Sequence, residues 1–140
     1  MFKVTETFKD FLGSDRTEDF YFNLTKAEII KMEWSYEGGF IRMLKTLIDK
    51  QNIPEMIKVF DLIIDSSYGV RTPDGRGFKK SKDILDDFKT TEAYSNIFMR
   101  FATDATFASD FLNGIIPQEI ADEVSKMSED EKKAALAKIQ

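Results

Sequence analysis

Two stretches of the sequence bring together side chains that could do chemistry. Asp83, Asp86 and Asp87 place three carboxylates within one helical turn, an arrangement that can hold a divalent cation. Gly69 to Lys80 combines three glycines with Arg71, Arg76, Lys79 and Lys80, the composition of a phosphate cradle. Neither reaches a defined motif. No Asp-x-Asp-x-Asp-Gly loop is present, which excludes an EF-hand. Gly75 and Gly77 lead into Phe78-Lys79-Lys80-Ser81, which is not the nucleotide-binding pattern G-x-x-x-x-G-K-[ST]. Carboxylates in the first turn of a helix favour its dipole, so a solvated helix face is the stronger reading of the aspartates. For the glycines, Pro73-Asp74-Gly75 reads as a tight turn with basic flanks, facing solvent or an acidic partner.

The chain contains no His and no Cys. That removes imidazole bases, thiolate nucleophiles, redox dithiols and the usual zinc ligands. The expectation is a protein that is not a conventional enzyme, with no catalytic residues, no cofactor and no metal. An enzyme using carboxylates and Lys is the weakest of the competing readings. Lys plus Arg is 20 against 25 for Asp plus Glu, a net charge of −5. No basic excess is left to neutralise a nucleic-acid backbone, so nucleic-acid binding is not expected.

Thirteen Phe stand against four Tyr and one Trp. Phe40, Phe60, Phe88, Phe98, Phe101, Phe107 and Phe111 fall mainly at helical apolar positions. A packed core is one reading. A groove for an amphipathic partner helix is the other, since both need large apolar side chains. Phe98-Met99 beside Phe101-Ala102 widens the stripe, so Ile97, Phe98, Phe101, Phe107 and Phe111 form the candidate partner-binding region.

These residues must be positioned by a fold of the α+β class, mostly α, with an N-terminal β-hairpin packed on a small bundle of about five to six helices. Phe2, Val4 and Phe8 alternate with polar residues, as do Phe20 and Phe22, around a turn at Leu12-Gly13-Ser14-Asp15. Thr25-Lys26-Ala27-Glu28 is a capping box that opens a helix to about Tyr36, with Ala27, Ile30 and Trp34 as apolar positions and Ile29, Met32 and Tyr36 nearby. Further helices are expected after Gly39, at Pro54, at Ser81 or Lys82, after Thr91 and after Asp104. Gly69 reads as a helix stop, Tyr68 to Ser81 as a loop, and Asn113-Gly114 as the end of the last core helix. The expected domain is 1–117 (hairpin 1–24, helical 25–117). The segment 118–140 lacks aromatics and is expected to be a polar helical or partly disordered tail contributing little to the core, with a second capping box at Ser128 to Glu131. No signal peptide and no membrane-spanning run is visible, so a soluble intracellular protein without membrane contact is expected.

An ordered set of short motifs resembles the small tail assembly chaperones of long-tailed, siphovirus-type bacteriophages. It comprises Arg16 to Glu28, Ser35-Tyr36-Glu37-Gly38-Gly39, Ser67-Tyr68-Gly69-Val70, Pro73-Asp74-Gly75, Thr91-Glu92-Ala93-Tyr94 and Asn113 to Pro117. The resemblance implies a non-enzymatic assembly factor of the host cell cytoplasm, absent from the mature virion. Its implied partner is the long, helical tape measure protein, kept soluble until tail tube subunits polymerise around it. The tail tube protein and self-association are further candidates for contact. The family often makes a longer product by ribosomal frameshifting. The rival reading is a structural virion component, of tail or head, mediating subunit contacts through the hairpin.

Overall fold

The computed structural model describes residues 1–126. Alternation builds the N-terminal hairpin as expected. Strands β1 (Phe2–Lys9) and β2 (Asp15–Phe22) pair antiparallel from Phe2↔Phe22 to Lys9↔Asp15. One face carries Phe2, Val4, Phe8, Phe20 and Phe22 into the core. The other is polar, with Thr5 donating to Asp19 (2.6 Å) and the hydroxyls of Thr7 and Thr17 2.8 Å apart.

Helix α1 (Lys26–Ser35) starts at the foreseen capping box. The Thr25 hydroxyl accepts from the Glu28 N–H, and the Glu28 carboxylate accepts from the Thr25 N–H. Its buried line differs from the expected one. Ala27 is exposed, and Ile29 and Glu33 are the buried pair. Glu33, only 6% exposed, accepts from the Ile41 N–H at 3.2 Å. It thereby caps α2 (Phe40–Lys50), whose own cap residue, Gly39, has no side chain to do so.

Helix α3 (Ile53–Ser67) has Pro54 in its first turn and Asn52 as cap. Beyond it the structure departs from the sequence reading. Tyr68 to Ser81 is not simply a loop. Strand β3 (Tyr68–Arg71) pairs with β2 through Tyr21↔Gly69 and Phe22↔Tyr68, and with β4 (Phe78–Lys79), giving one sheet in the order β1-β2-β3-β4. Gly69 is therefore a strand residue. A Cβ there would lie 2.6 Å from the Lys79 carbonyl and the Phe78 ring, so the glycine permits a close approach rather than stopping a helix. Gly75 does sit in the turn with φ of 76°.

Helices α4 (Lys82–Lys89), α5 (Glu92–Thr103) and α6 (Ala105–Ile115) are capped by Ser81, Thr91 and Asp104. Asn113-Gly114 falls at the end of α6 as expected, one residue before Ile115, and a Cβ at Gly114 would overlap the Phe2 ring. A final helix, α7 (Gln118–Ser125), brings the count to seven among the described residues. It corrects the expectation for the tail: Ala121 and Val124 are buried in the core, and Lys26 of α1 pairs with Glu123. Two small apolar residues three apart make a buried stripe without aromatics. The capping box at Ser128 lies outside the described residues.

Lys80 joins three elements. Its ammonium lies 2.9 Å from both Glu28 oxygens and from the Ser66 carbonyl. Partial burial pushes the Glu28 carboxyl up, but the Thr25 N–H and the Lys80 ammonium outweigh it and hold the group below its ordinary 4.5. A carboxyl depressed in the fold contributes stability that is present above 4.5 and lost as pH falls through the folded value. Acid melts should therefore show Glu28→Gln losing less stability than wild type over that window. At the turn, Gly75→Val should cost about 1–2 kcal/mol in chemical denaturation, and Asp74→Ala less. Val124→Ala should cost about 1–3 kcal/mol by the same measurement; an unchanged midpoint would show that α7 does not dock.

Candidate functional site

Four of the five residues expected to meet a partner are in the interior. Ile97, Phe101, Phe107 and Phe111 are buried, and Phe98 is half-buried. The four phenylalanines belong to an aromatic cluster centred on Phe60, whose ring lies 4.4 Å from Phe101, 5.6 Å from Phe111 and 5.7 Å from Phe98, with Phe107 joined through Phe111. Arg100 covers the outside of this cluster, 4.2 Å over the Phe107 ring and 2.8 Å from Glu6 of β1.

Phe101 has a second neighbourhood. Its ring forms part of the wall of a cavity of about 360 Å³. Two helix corners create it. At the first, Gln51 takes a left-handed conformation (φ 51°, ψ 41°) that closes α2, and the Asn52 side chain accepts from the Glu55 N–H to open α3. At the second, Asp104 ends α5 and its carboxylate accepts from the Thr106 and Phe107 N–H groups to start α6. Between the corners lie Ile48, Ile53, Met56, Phe101, Ala105 and Ala108, with the polar Gln51, Thr103 and Ser109 also on the lining. No lining residue is charged. Ile53 stands at the rim, 49% exposed. Behind Ile48, Met56 and Phe101 lies a void of only about 10 Å³ that they share with Leu44, Val59 and Leu112. Apolar walls, small residues on one side and a half-exposed isoleucine on the other make a groove that can bury an apolar side chain row.

The polar clusters are occupied with structure. Asp86 pairs with Lys82 at 2.7 Å, and Asp83 stands in the first turn of α4. No group of three or more Asp or Glu converges as a metal site among the described residues. The cations of the turn diverge: Lys80 turns inward to Glu28, while Arg71 lies 4.2 Å over the Tyr21 ring and donates to its hydroxyl. Burial, with the charges of Asp87 and Glu18, pushes the Tyr68 phenol up to about 12. Burial and a hydrogen bond to Asp61 raise that of Tyr94 further. Neither phenol can act as a base near neutral pH.

A family model described as phage tail assembly chaperone matches residues 1–138. The chain belongs to that family. No curated protein and no solved structure matches it.

The groove was not found by sequence reading, which placed a helix at Pro54 and named no open position on it. The available signal was Ile53 in Asn52-Ile53-Pro54: an apolar residue at a capped helix start has no turn before it to pack against. The buried and rim positions should respond differently to charge. Phe111→Asp should unfold the protein, costing about 4 kcal/mol or more. Ile53→Asp should keep the circular dichroism spectrum and change the midpoint by about 0.5 kcal/mol or less.

Proposed function

We propose that this tail assembly chaperone binds the tape measure protein of its phage by seating amphipathic helices of that protein in the groove between the α2–α3 and α5–α6 corners. The observation that carries the reading is the uncharged lining of that groove, apolar except for Gln51, Thr103 and Ser109. A tape measure presents long helices whose apolar stripes are an aggregation liability in water. A groove that accepts a few residues of such a stripe covers it locally. Many copies along one long client add through multivalency, while each contact stays weak enough for tail tube subunits to displace it. Of the residues proposed from sequence, Phe101 contributes directly to the groove wall, and Ile97, Phe98, Phe107 and Phe111 support it from behind. The net charge of −5 helps to keep the crowded complex in solution. The protein acts without catalysis, in the host cytoplasm, and leaves before the virion is complete. Among the described residues no helix is long and apolar enough to cross a membrane.

Co-expression with the tape measure protein of the same genome should raise that protein's soluble yield, and the two should co-purify with several copies of the chaperone per client. Because the contact is apolar, salt should weaken it little. Ile53→Asp and Ala105→Asp should abolish co-purification in folded protein. Failure of the wild-type chain to bind or solubilise the tape measure overturns the proposal, as does its recovery in stoichiometric amounts from purified virions.

A further inference from the structure

Strand β1 is the outermost strand of the sheet and pairs with β2 alone. In an antiparallel pair, alternate residues turn their backbone groups toward the partner and the others turn away. Here the hairpin closes with the Asp10 N–H donating to the Ser14 carbonyl at 2.9 Å, and the register runs unbroken from Lys9↔Asp15 to Phe2↔Phe22. Even-numbered residues of β1 therefore bond to β2. The N–H and C=O groups of Lys3, Thr5, Thr7 and Lys9 point outward along the open edge. Strand β2 shows the complementary alternation on its far side, where the Asn23 N–H donates to the Ser67 carbonyl and Tyr21 stands opposite Gly69. All four outward residues of β1 are exposed, and no backbone hydrogen bond from another element reaches them among the described residues.

Natural sheets shorten, bulge or cover such edges, or interrupt them with Pro. This edge spans eight residues without Pro, Gly or a bulge. It is also held straight. Thr5 and Thr7 are tied to Asp19 and Thr17 across the outer face, and Glu6 accepts from Arg100 of α5 at 2.8 Å on the inner face. A strand fixed in this way has already met the entropic cost of pairing. Just past its end the turn leaves Phe11 and Leu12 81% and 91% exposed, apolar surface that continues the edge.

We propose that β1 accepts a fifth strand from a second protein, an extended acidic segment that pairs antiparallel with Lys3 to Lys9. The charges on the edge choose this occupant. A second copy of β1, in the antiparallel register that uses all four outward residues, sets Lys9 opposite Lys3 and Glu6 opposite Glu6. Like charges directly opposite are destabilising, so the edge rejects its own copy. The same positions favour acidic residues six apart, opposite Lys3 and Lys9, with no acid at the centre opposite Glu6. Lys3 forms no ion pair among the described residues, and Lys9 has only the exposed Asp15, a partner readily exchanged. Apolar residues opposite Val4 and Phe8 extend the core face of the sheet. The backbone supplies affinity, and the two lysines supply specificity. None of these residues lines the groove between the helix corners, so the two proposals stand or fall independently.

The probe is the end-capped peptide Glu-Val-Thr-Thr-Thr-Val-Glu, titrated into the full chain and followed by amide hydrogen exchange. In the free chain the amides of Lys3, Thr5, Thr7 and Lys9 should exchange freely, and those of Val4, Glu6 and Phe8 slowly. Bound peptide should slow the first set about tenfold or more. The double variant Lys3→Glu, Lys9→Glu should raise the dissociation constant roughly tenfold and should prefer the same peptide with Lys at both ends. Thr5→Pro removes an outward N–H without touching the ladder to β2, so it should abolish binding while the circular dichroism spectrum is kept. Ile53→Asp should leave peptide binding unchanged. No binding at about 1 mM peptide overturns the proposal. So does binding that leaves the outward amides unprotected or ignores the charge exchange. Outward amides already slow in the free chain mean that the edge is occupied from within, and equally overturn it.

Discussion

Phe111 is the point at which the two halves of the molecule are joined. Its fully buried ring lies 5.1 Å from Phe22 and 5.4 Å from Phe2 on the sheet. On the helical side it lies 5.6 Å from Phe60, 5.9 Å from Phe101 and 6.0 Å from Phe107. A hairpin alone is marginal in water, and an eleven-residue helix is too. Each becomes stable by burying its apolar face on the other, and aromatic pairs add edge-to-face attraction to the burial. Gly114 on the next turn lets β1 come close enough for this contact. The second hairpin depends on the same layer, because Tyr68 stacks on Phe88 at 4.2 Å and Phe88 touches Phe22.

That arrangement divides the apolar residues between two tasks. Rings that meet from several elements at once are consumed by the core. What remains for a partner lies where helix corners leave apolar walls without a neighbour, as around Ile53 and Ala105, or where a turn holds apolar groups away from the body, as at Phe11 and Leu12. The first surface is concave and uncharged, suited to a helix stripe. The second is convex and flanked by charges of both signs. Both are held by caps and left-handed turns rather than by packing, so a partner can use them without disturbing the interior.

Much of this was legible in the chain. The hairpin, the capping box at Thr25, the caps at Ser81, Thr91 and Asp104, and the order of the helices follow from local rules, because a cap or an alternation involves residues within a few positions of one another. The family was legible as well, through ordered short motifs. The second hairpin was hidden, because two- and four-residue strands have no periodicity and form only by adding to an edge supplied by β2. Gly69 and Gly114 do stand at helix ends, but why they are glycine was hidden: a glycine required by a distant Phe78 or Phe2 looks like one required by its own backbone. Glu33 was not singled out in the sequence, and it caps α2 from inside the core.

The sequence by itself determined the composition of the core, the ends of most elements and the absence of imidazole and thiol chemistry, all of which depend on residue type and short spacing. Only the tertiary structure decided which phenylalanines are interior and which apolar residues are left open. Ile97, Phe101, Phe107 and Phe111 share one helical pattern with any partner-binding stripe, and their burial is decided by Phe60 and Phe2, tens of residues away. The tail was decided in the same way. Ala121 and Val124 are too small to announce a core position, and they become one because α1 and its neighbours leave a space of their size.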